Sequence, residues 1–214
     1  MADQATLDAL QFALLLEYLE SDFYTRGLAA SLLIPATDRT VFNTLSAQET
    51  AHINRLKALI QGLGGTPIAA PAFDFSGKGT VPGFDFLPSQ YATFTMLAQA
   101  FEDVGVRGYK GQITTLISDK KVLTDVLTIH SVEARHASEV RRLRTFKGWI
   151  TFNLRDDLPD YFQPVYDGEQ STTQGSVNVA ALAEGFGGDA GATQAFDEPL
   201  TKAQVLAIIS PFIV

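Results

Sequence analysis

The chain has 214 residues, a formal net charge of −8 and no cysteine. This length suits one well-filled domain with additions, and the acidic balance argues against nucleic acid, whose phosphates require a basic protein surface. The lack of cysteine excludes disulfides, thiolate zinc sites, iron–sulfur clusters and cysteine nucleophiles. Metal ions, small molecules and other proteins remain as expected partners.

The first predicted helix runs from about Thr6 to Leu33 and ends before Pro35. It is apolar on several faces, so we expect it to be buried on more than one side. Its apolar run Leu10–Leu16 is interrupted by Glu17, is too short to span a bilayer and lacks the features of a leader peptide. We therefore expect no membrane span, while the compartment stays open between the cytoplasm and export after loss of a leader.

The second predicted helix begins near Thr37 or Asp38, both good capping residues, and ends at Gly62. Few residues join it to the first helix, so the two helices should be antiparallel neighbours. From Gly64 to Leu87 the chain is rich in Gly, Pro, Phe and Ala, which predicts a long crossing instead of a tight turn.

The third predicted helix opens at Pro88 and continues to about Ser118. Ser118 and Asp119 then cap a fourth helix that ends near Gly148. A short loop, a long crossing and a second short loop are typical of a four-helix bundle with one crossover connection. The sequence therefore predicts an all-α bundle over residues 1–148.

The remaining residues, 149–214, are predicted to be a loop-rich extension that packs on the bundle and is not an independent domain. The extension contains a glycine-dense segment at 185–191, and it ends in a short helix that Thr201 and Gln204 begin in capping-box spacing. We interpret it as a lid or an oligomer contact, and we expect a homodimer.

The sequence Glu-x-x-His occurs twice, at Glu49–His52 and at Glu133–His136. Three-residue spacing places both side chains on one helix face, which suits two ligands of one metal ion. Each motif follows another glutamate at a similar distance: Glu17 lies 32 residues before the first motif, and Glu102 lies 31 residues before the second. The same pattern in both halves predicts two equivalent half-sites around a pseudo-twofold axis.

Burial gives a physical reason to expect metal at these glutamates. Glu17 and Glu102 interrupt apolar runs, and a buried carboxylate costs several kcal/mol unless it is paired, metal-bound or protonated. Two divalent ions would balance the charge of four glutamates. Oxygen and imidazole ligands with open positions suit iron(II) or manganese(II), with zinc as an adventitious competitor.

At these residues the chain resembles the ferritin-like superfamily of bacterioferritins and rubrerythrins, and more closely the bacterial ferritin-like proteins related to plant desiccation-related proteins. The resemblance rests on both Glu-x-x-His motifs, on the pairs Glu17…Tyr24 and Glu102…Tyr109, and on the tail Phe196–Thr201. It covers nearly the whole chain and implies a ferritin-like fold.

The resemblance also implies a role for each candidate site residue. Terminal metal ligands are expected at Glu17 and Glu102, bridging ligands at Glu49 and Glu133, and one nitrogen ligand per metal at His52 and His136. Tyr24 and Tyr109 would donate hydrogen bonds that orient the carboxylates.

Several of these residues keep a second interpretation. Glu49 could be the third residue of a helix that Ser46 caps, and the two tyrosines could be ordinary buried tyrosines. Glu20 is either a solvated neighbour or an extra ligand. His130 either reaches the metal ligands from outside or is a satisfied core or surface residue.

The leading functional hypothesis is a di-metal oxidoreductase or iron-handling protein that reacts with dioxygen or peroxide. Peroxidase, catalase and ferroxidase chemistry all fit such a site, and residue spacing does not choose among them. The rival hypothesis is a structural protein that protects against stress or desiccation and has no catalytic turnover.

Overall fold

The computed structural model describes residues 3–214. Four long helices form the bundle: α1 Gln4–Ala29, α2 Arg39–Gly62, α3 Tyr91–Leu116 and α4 Lys120–Leu143. α1 packs along α2, α3 packs along α4, and α1 also contacts α3. Residues 63–90 make the long connection from α2 to α3. The prediction of an all-α bundle is confirmed.

α1 ends earlier than the sequence suggests. The helix stops at Ala29 instead of about Leu33, and Leu32 follows with a left-handed φ of 61°, through which an α-helix cannot continue. Asp38 precedes α2 as expected, but its carboxylate accepts a hydrogen bond from the Tyr91 hydroxyl at 2.6 Å and caps no backbone N–H. This bond ties the start of α2 to the start of α3.

α3 and α4 begin close to the predicted positions. Pro88–Gln90 forms a 3₁₀ turn directly before α3, and the Asp119 side chain caps α4 by accepting hydrogen bonds from two backbone N–H groups. α4 ends at Leu143, so the predicted end near Gly148 is wrong. Thr145 has a φ of 66°, and this left-handed residue stops the helical hydrogen-bond pattern.

The crossing between α2 and α3 is held by aromatic side chains. Phe73, Phe75 and Phe84 of this segment are each at most 5% exposed. Phe75 and Phe84 lie next to Phe23 of α1, with ring centroids 5.1 and 6.3 Å away. The crossing is therefore part of the core, as its aromatic composition indicates.

The extension after α4 contains three short helices and a two-stranded hairpin: α5 Gln163–Tyr166, β1 Thr173–Gln174, β2 Val177–Asn178, α6 Gly188–Ala195 and α7 Lys202–Ile209. β1 and β2 are antiparallel. α6 begins inside the glycine-dense segment, and α7 has the expected capping box of Thr201 and Gln204. Among residues 3–214, no helix is long and apolar enough to cross a membrane.

The extension lies against α3. Leu200 passes so close to Gly111 that a Cβ there would overlap its carbonyl oxygen, and Gly108 faces Val205 of α7. Arg107 of α3 is 1% exposed. Its guanidinium contacts four groups of the extension: the carbonyl oxygens of Val165, Asp167 and Glu198 and the carboxylate of Glu169. That residues 149–214 fold only with the bundle stays a prediction.

Candidate metal centre

The six candidate ligands meet between the four helices. They come from α1 (Glu17), α2 (Glu49, His52), α3 (Glu102) and α4 (Glu133, His136). All four glutamates are 0% exposed, while His136 is 3% and His52 is 8% exposed. The Glu-x-x-His spacing places each glutamate and its histidine on the inward face of one helix, because residues three apart are neighbours on a helix surface.

The ligand atoms form two overlapping groups. One contains Glu17, Glu49, His52 and Glu133; the other contains Glu49, Glu102, Glu133 and His136. Within each group, one nitrogen or oxygen atom from every member lies within 4.8 Å of the others. Glu49 and Glu133 belong to both groups, so the arrangement could hold two neighbouring cations that share two carboxylates.

Each imidazole faces three carboxylates through Nδ1. The His52 Nδ1 atom lies 2.7, 3.1 and 3.2 Å from oxygens of Glu133, Glu49 and Glu17. The His136 Nδ1 atom lies 2.8, 3.5 and 3.6 Å from oxygens of Glu49, Glu133 and Glu102. The two rings are 6.0 Å apart between centroids. Both nitrogens therefore point at the shared carboxylates.

Several of these buried atoms have no hydrogen-bond partner among residues 3–214: Glu49 Oε1, Glu102 Oε2, both oxygens of Glu133, and His136 Nδ1. His136 Nδ1 lies 2.8 Å from Glu49 Oε1, yet the two are not aligned as donor and acceptor. Unsatisfied buried polar atoms are costly. Oxygen and nitrogen lone pairs that converge in this way fit divalent cations.

Burial and mutual repulsion disturb the ionisation of the carboxylates. Burial, with the charge of Glu133 next in size, raises the pKa of Glu17 well above its ordinary value. The same two causes raise the pKa of Glu20. Burial raises the pKa of Glu102 to about 8, although His136 opposes the shift. Without cations, this cluster therefore retains protons at neutral pH.

The histidines bring positive charge to the cluster. Burial disfavours the charged imidazole of His52, but its contacts with Glu133, Glu17 and Glu49 raise the pKa to about 12. The pKa of His136 is raised in the same way, against burial, chiefly by Glu102. Burial also disfavours the ionised Glu133, yet the close contacts and positive charge of both imidazoles lower its pKa to about 2. A metal ion must displace these protons, so binding releases them.

The tyrosines connect the two halves crosswise. Tyr24 of α1 donates a hydrogen bond to Glu102 of α3, and Tyr109 of α3 donates one to Glu17 of α1. Both rings are at most 1% exposed. Each hydroxyl holds one oxygen of a carboxylate in place and leaves the other oxygen free to face the centre.

Glu20 breaks the symmetry between the halves. It follows Glu17 by three residues, and the position three residues after Glu102 is Gly105. A Cβ at Gly105 would lie 2.9 Å from Glu20 Oε1, so the glycine makes room for the carboxylate. Glu20 is 2% exposed, so the interpretation as a solvated residue is wrong. Its Oε2 atom has no hydrogen-bond partner in the part of the chain that the structure describes.

Gln48 is a site residue that the sequence analysis missed. Its amide oxygen lies 2.6 Å from His136 Nε2, so it can accept the proton on the outer ring nitrogen. Its position directly before Glu49 is the only sequence signal, because the contact joins α2 to α4. Ser46 lies inside α2, which begins at Arg39, so the capping interpretation of Glu49 is wrong.

His130 lies outside both ligand groups. Burial and the nearby charge of Lys110 lower the pKa of its imidazole. A neutral ring in this position is typical of a partly buried structural histidine.

Comparison with known proteins extends these observations. A family model described as a ferritin-like domain matches residues 5–145, which is more than half of the chain and contains all six candidate ligands. The match leaves the extension outside. No curated protein matches the chain.

Proposed function

Because the chain belongs to the ferritin-like domain family, we propose that its bundle holds two divalent metal ions, iron or manganese, for reaction with dioxygen or peroxide. The observation that carries this proposal is the pair of ligand groups that share Glu49 and Glu133. Two separate sites would each need their own carboxylates, whereas sharing places two ions side by side.

In this proposal each half supplies one terminal pair of ligands. Glu17 and His52 would hold one ion, Glu102 and His136 would hold the other, and Glu49 and Glu133 would be available to both. Two divalent ions would neutralise four carboxylates. They would thereby offset the burial, and the repulsion from neighbouring glutamates, that raise the pKa of Glu17 and Glu102. Zinc would bind the same donors, but it has no redox chemistry.

When bound, two adjacent redox-active ions supply a place where a small oxidant is reduced. The protein contributes an enclosed site whose carboxylates are 0% exposed, so bulk water is kept away. Tyr24 and Tyr109 fix one oxygen of each terminal glutamate. Glu20, whose pKa burial raises, keeps a proton close to the site. Iron(II) oxidation, peroxide removal and catalase activity would all use these features.

The test is consumption of peroxide and of dioxygen by protein that is loaded anaerobically with iron(II) or manganese(II). We expect turnover by the loaded protein and none by the metal-free protein, while circular dichroism shows the same helix content for both. A loaded protein that consumes neither oxidant would contradict the proposed chemistry.

A structural or stress-protective role, with self-association as a homodimer through the extension, is the second candidate. Leu182 and Phe186 of the extension are 72% and 86% exposed, which is unusual for large apolar side chains and favours a contact surface. Analytical ultracentrifugation of the wild type and of a Leu182→Ser/Phe186→Ser variant tests this. If removal of the metal melts the bundle, the structural role gains support over the catalytic one.

A further inference from the structure

The two histidines of the candidate metal centre have different surroundings. The outer nitrogen of His136 is covered by the Gln48 amide at 2.6 Å. His52 instead borders a surface depression of about 270 Å³ between α2 and α4. This depression, which we call the His52 opening, is lined by Ala51, His52, Arg55, Asp125, Thr128, Ile129 and Val132.

The difference follows from one position in the repeated pattern. Gln48 directly precedes Glu49, and the residue that directly precedes Glu133 is Val132. Gln48 reaches across to the histidine of the opposite helix, whereas Val132 lines the His52 opening and has no polar group to cover the imidazole. One half-site is therefore closed by an amide, and the other is left open.

An ion pair stands beside the opening. One guanidinium nitrogen of Arg55 on α2 lies 2.6 and 2.5 Å from the two carboxylate oxygens of Asp125 on α4. The Arg55 side chain is 48% exposed, and the Asp125 side chain is 19% exposed. Exposed ion pairs contribute little to stability, so this pair can separate at small cost.

The opening also lies close to the carboxylates. His52 is the most exposed of the six candidate ligands, and its Nδ1 atom lies within 3.2 Å of three glutamates. A single imidazole therefore separates the opening from the shared carboxylates. Through the other half-site, an ion would have to displace the Gln48 amide from His136.

We propose that divalent cations reach the metal centre through the His52 opening, and that the Arg55–Asp125 pair controls their passage. The inference rests on the proposed metal site. With the pair closed, the positive guanidinium repels an incoming cation. With the pair open, the Asp125 carboxylate attracts the cation toward His52.

The first test fills the opening. Metal-free Ala51→Phe protein is mixed with cobalt(II), and uptake is followed through the visible absorption of the bound ion. We expect uptake at least about tenfold slower than in the wild type, because a packed ring must move aside before the ion can pass, with the same final cobalt content. Ala47→Phe is the matched control, since Ala47 is also exposed on α2 but does not line the opening.

The second test removes the positive charge. Arg55→Ala should take up cobalt(II) about tenfold faster at low ionic strength, and less so at high salt, because local charge changes encounter rates of ions. Arg142→Ala is the control: it removes one positive charge from an ion pair on α4 whose arginine is 70% exposed and which is not part of the opening.

The outcomes separate the route from the site. If Ala51→Phe and the wild type fill equally fast to the same cobalt content, or if Ala47→Phe is slowed as much as Ala51→Phe, the route is wrong while the metal site stands. If the wild type takes up no metal at all, the proposed function fails, and the route fails with it.

Discussion

The α1–α2 half and the α3–α4 half carry the same candidate ligands at matching positions, but their surroundings differ. Glu20 in the first half corresponds to Gly105 in the second, and Gln48 corresponds to Val132. The extension packs on α3. Ligands of one metal ion must all lie at coordination distance from it, which restricts the helix positions that they can occupy. The residues around them need only fill space and satisfy buried groups, so each half can solve that problem differently.

The largest expected effect comes from the side of α3 that the extension covers. Arg107→Met should lower the free energy of unfolding by about 3–5 kcal/mol, because it leaves the Glu169 carboxylate buried without its cation. Asp22→Asn is the matched control: Asp22 lies five residues after Glu17, as Arg107 does after Glu102, but it forms a half-exposed pair with Arg26. Loss of this pair should lower the free energy of unfolding by less than about 1 kcal/mol.

Urea denaturation measures both variants. The same experiment tests the proposal that residues 149–214 fold with the bundle, because a single cooperative transition is expected. Equal effects of the two substitutions, or two separate transitions, would contradict the account of the extension.

The next effect is the pH dependence of the metal-free protein. The pKa of Glu102 is raised from 4.5 to about 8, so the folded state keeps a proton that the unfolded state loses. The free energy of unfolding should therefore fall as the pH rises from about 4.5 to about 8. Glu17 and Glu20 act in the same direction. The contribution of Glu133 is lost only as the pH falls from 4.5 toward about 2.

Thermal unfolding of chelator-treated protein at several pH values between 5 and 8 checks this. Glu102→Gln should reduce the pH dependence, because it removes one titrating group from the second half. A metal-free protein that becomes more stable as the pH rises through this window would show that the carboxylates are not protonated as described.

A smaller effect should distinguish the two histidines. Gln48→Ala should weaken binding of one of the two metal ions about 10- to 100-fold, because partners on the outer nitrogen of a metal-bound histidine tune its affinity. Val132→Gln places an amide at the matching position of the other half, beside His52. This substitution should not change the affinity for the ion at His136, which is the ion that Gln48→Ala weakens. Isothermal titration with manganese(II) measures both, and equal weakening of both ions by Gln48→Ala would argue against separate half-sites.

The smallest effect concerns the contact between Glu20 and Gly105. In the wild type, the methyl group added by Gly105→Ala would meet the Glu20 carboxylate. The change in the free energy of unfolding caused by Gly105→Ala should therefore be about 1 kcal/mol more favourable in a Glu20→Ala background than in the wild type. Denaturation of the two single variants and the double variant gives this coupling. Independent effects would mean that the carboxylate can move away freely.

The sequence predicts which six candidate ligands come together better than it predicts what surrounds them. Three-residue spacing on a helix fixes which face Glu49 and His52 share, and the second copy of the motif indicates where the partner helix contributes. By contrast, the contact of Gln48 with His136 depends on how α2 and α4 are rotated against each other. The spacing of residues along the chain does not determine that rotation.

Helix ends and the extension are hard to predict for related reasons. A residue with positive φ follows the end of each helix: Leu32 follows α1, and Thr145 follows α4. Leucine and threonine normally avoid positive φ, so neither residue signals a helix end in the sequence. Arg107 donates hydrogen bonds to three backbone carbonyl oxygens of the extension. Every residue has a backbone carbonyl, so the sequence does not mark these acceptors. Tertiary packing decides both features, so local patterns do not reveal them.

Elemental analysis of protein purified without chelators, beside a Glu49→Ala/Glu133→Ala variant, tests the central claim most directly. The wild type should hold about two iron or manganese atoms per chain, as ferritin-like carboxylate sites do, and the variant should lose both, because the two glutamates belong to both ligand groups. A wild type that takes up no metal on reconstitution, or a variant that keeps both ions, would contradict a shared two-metal centre.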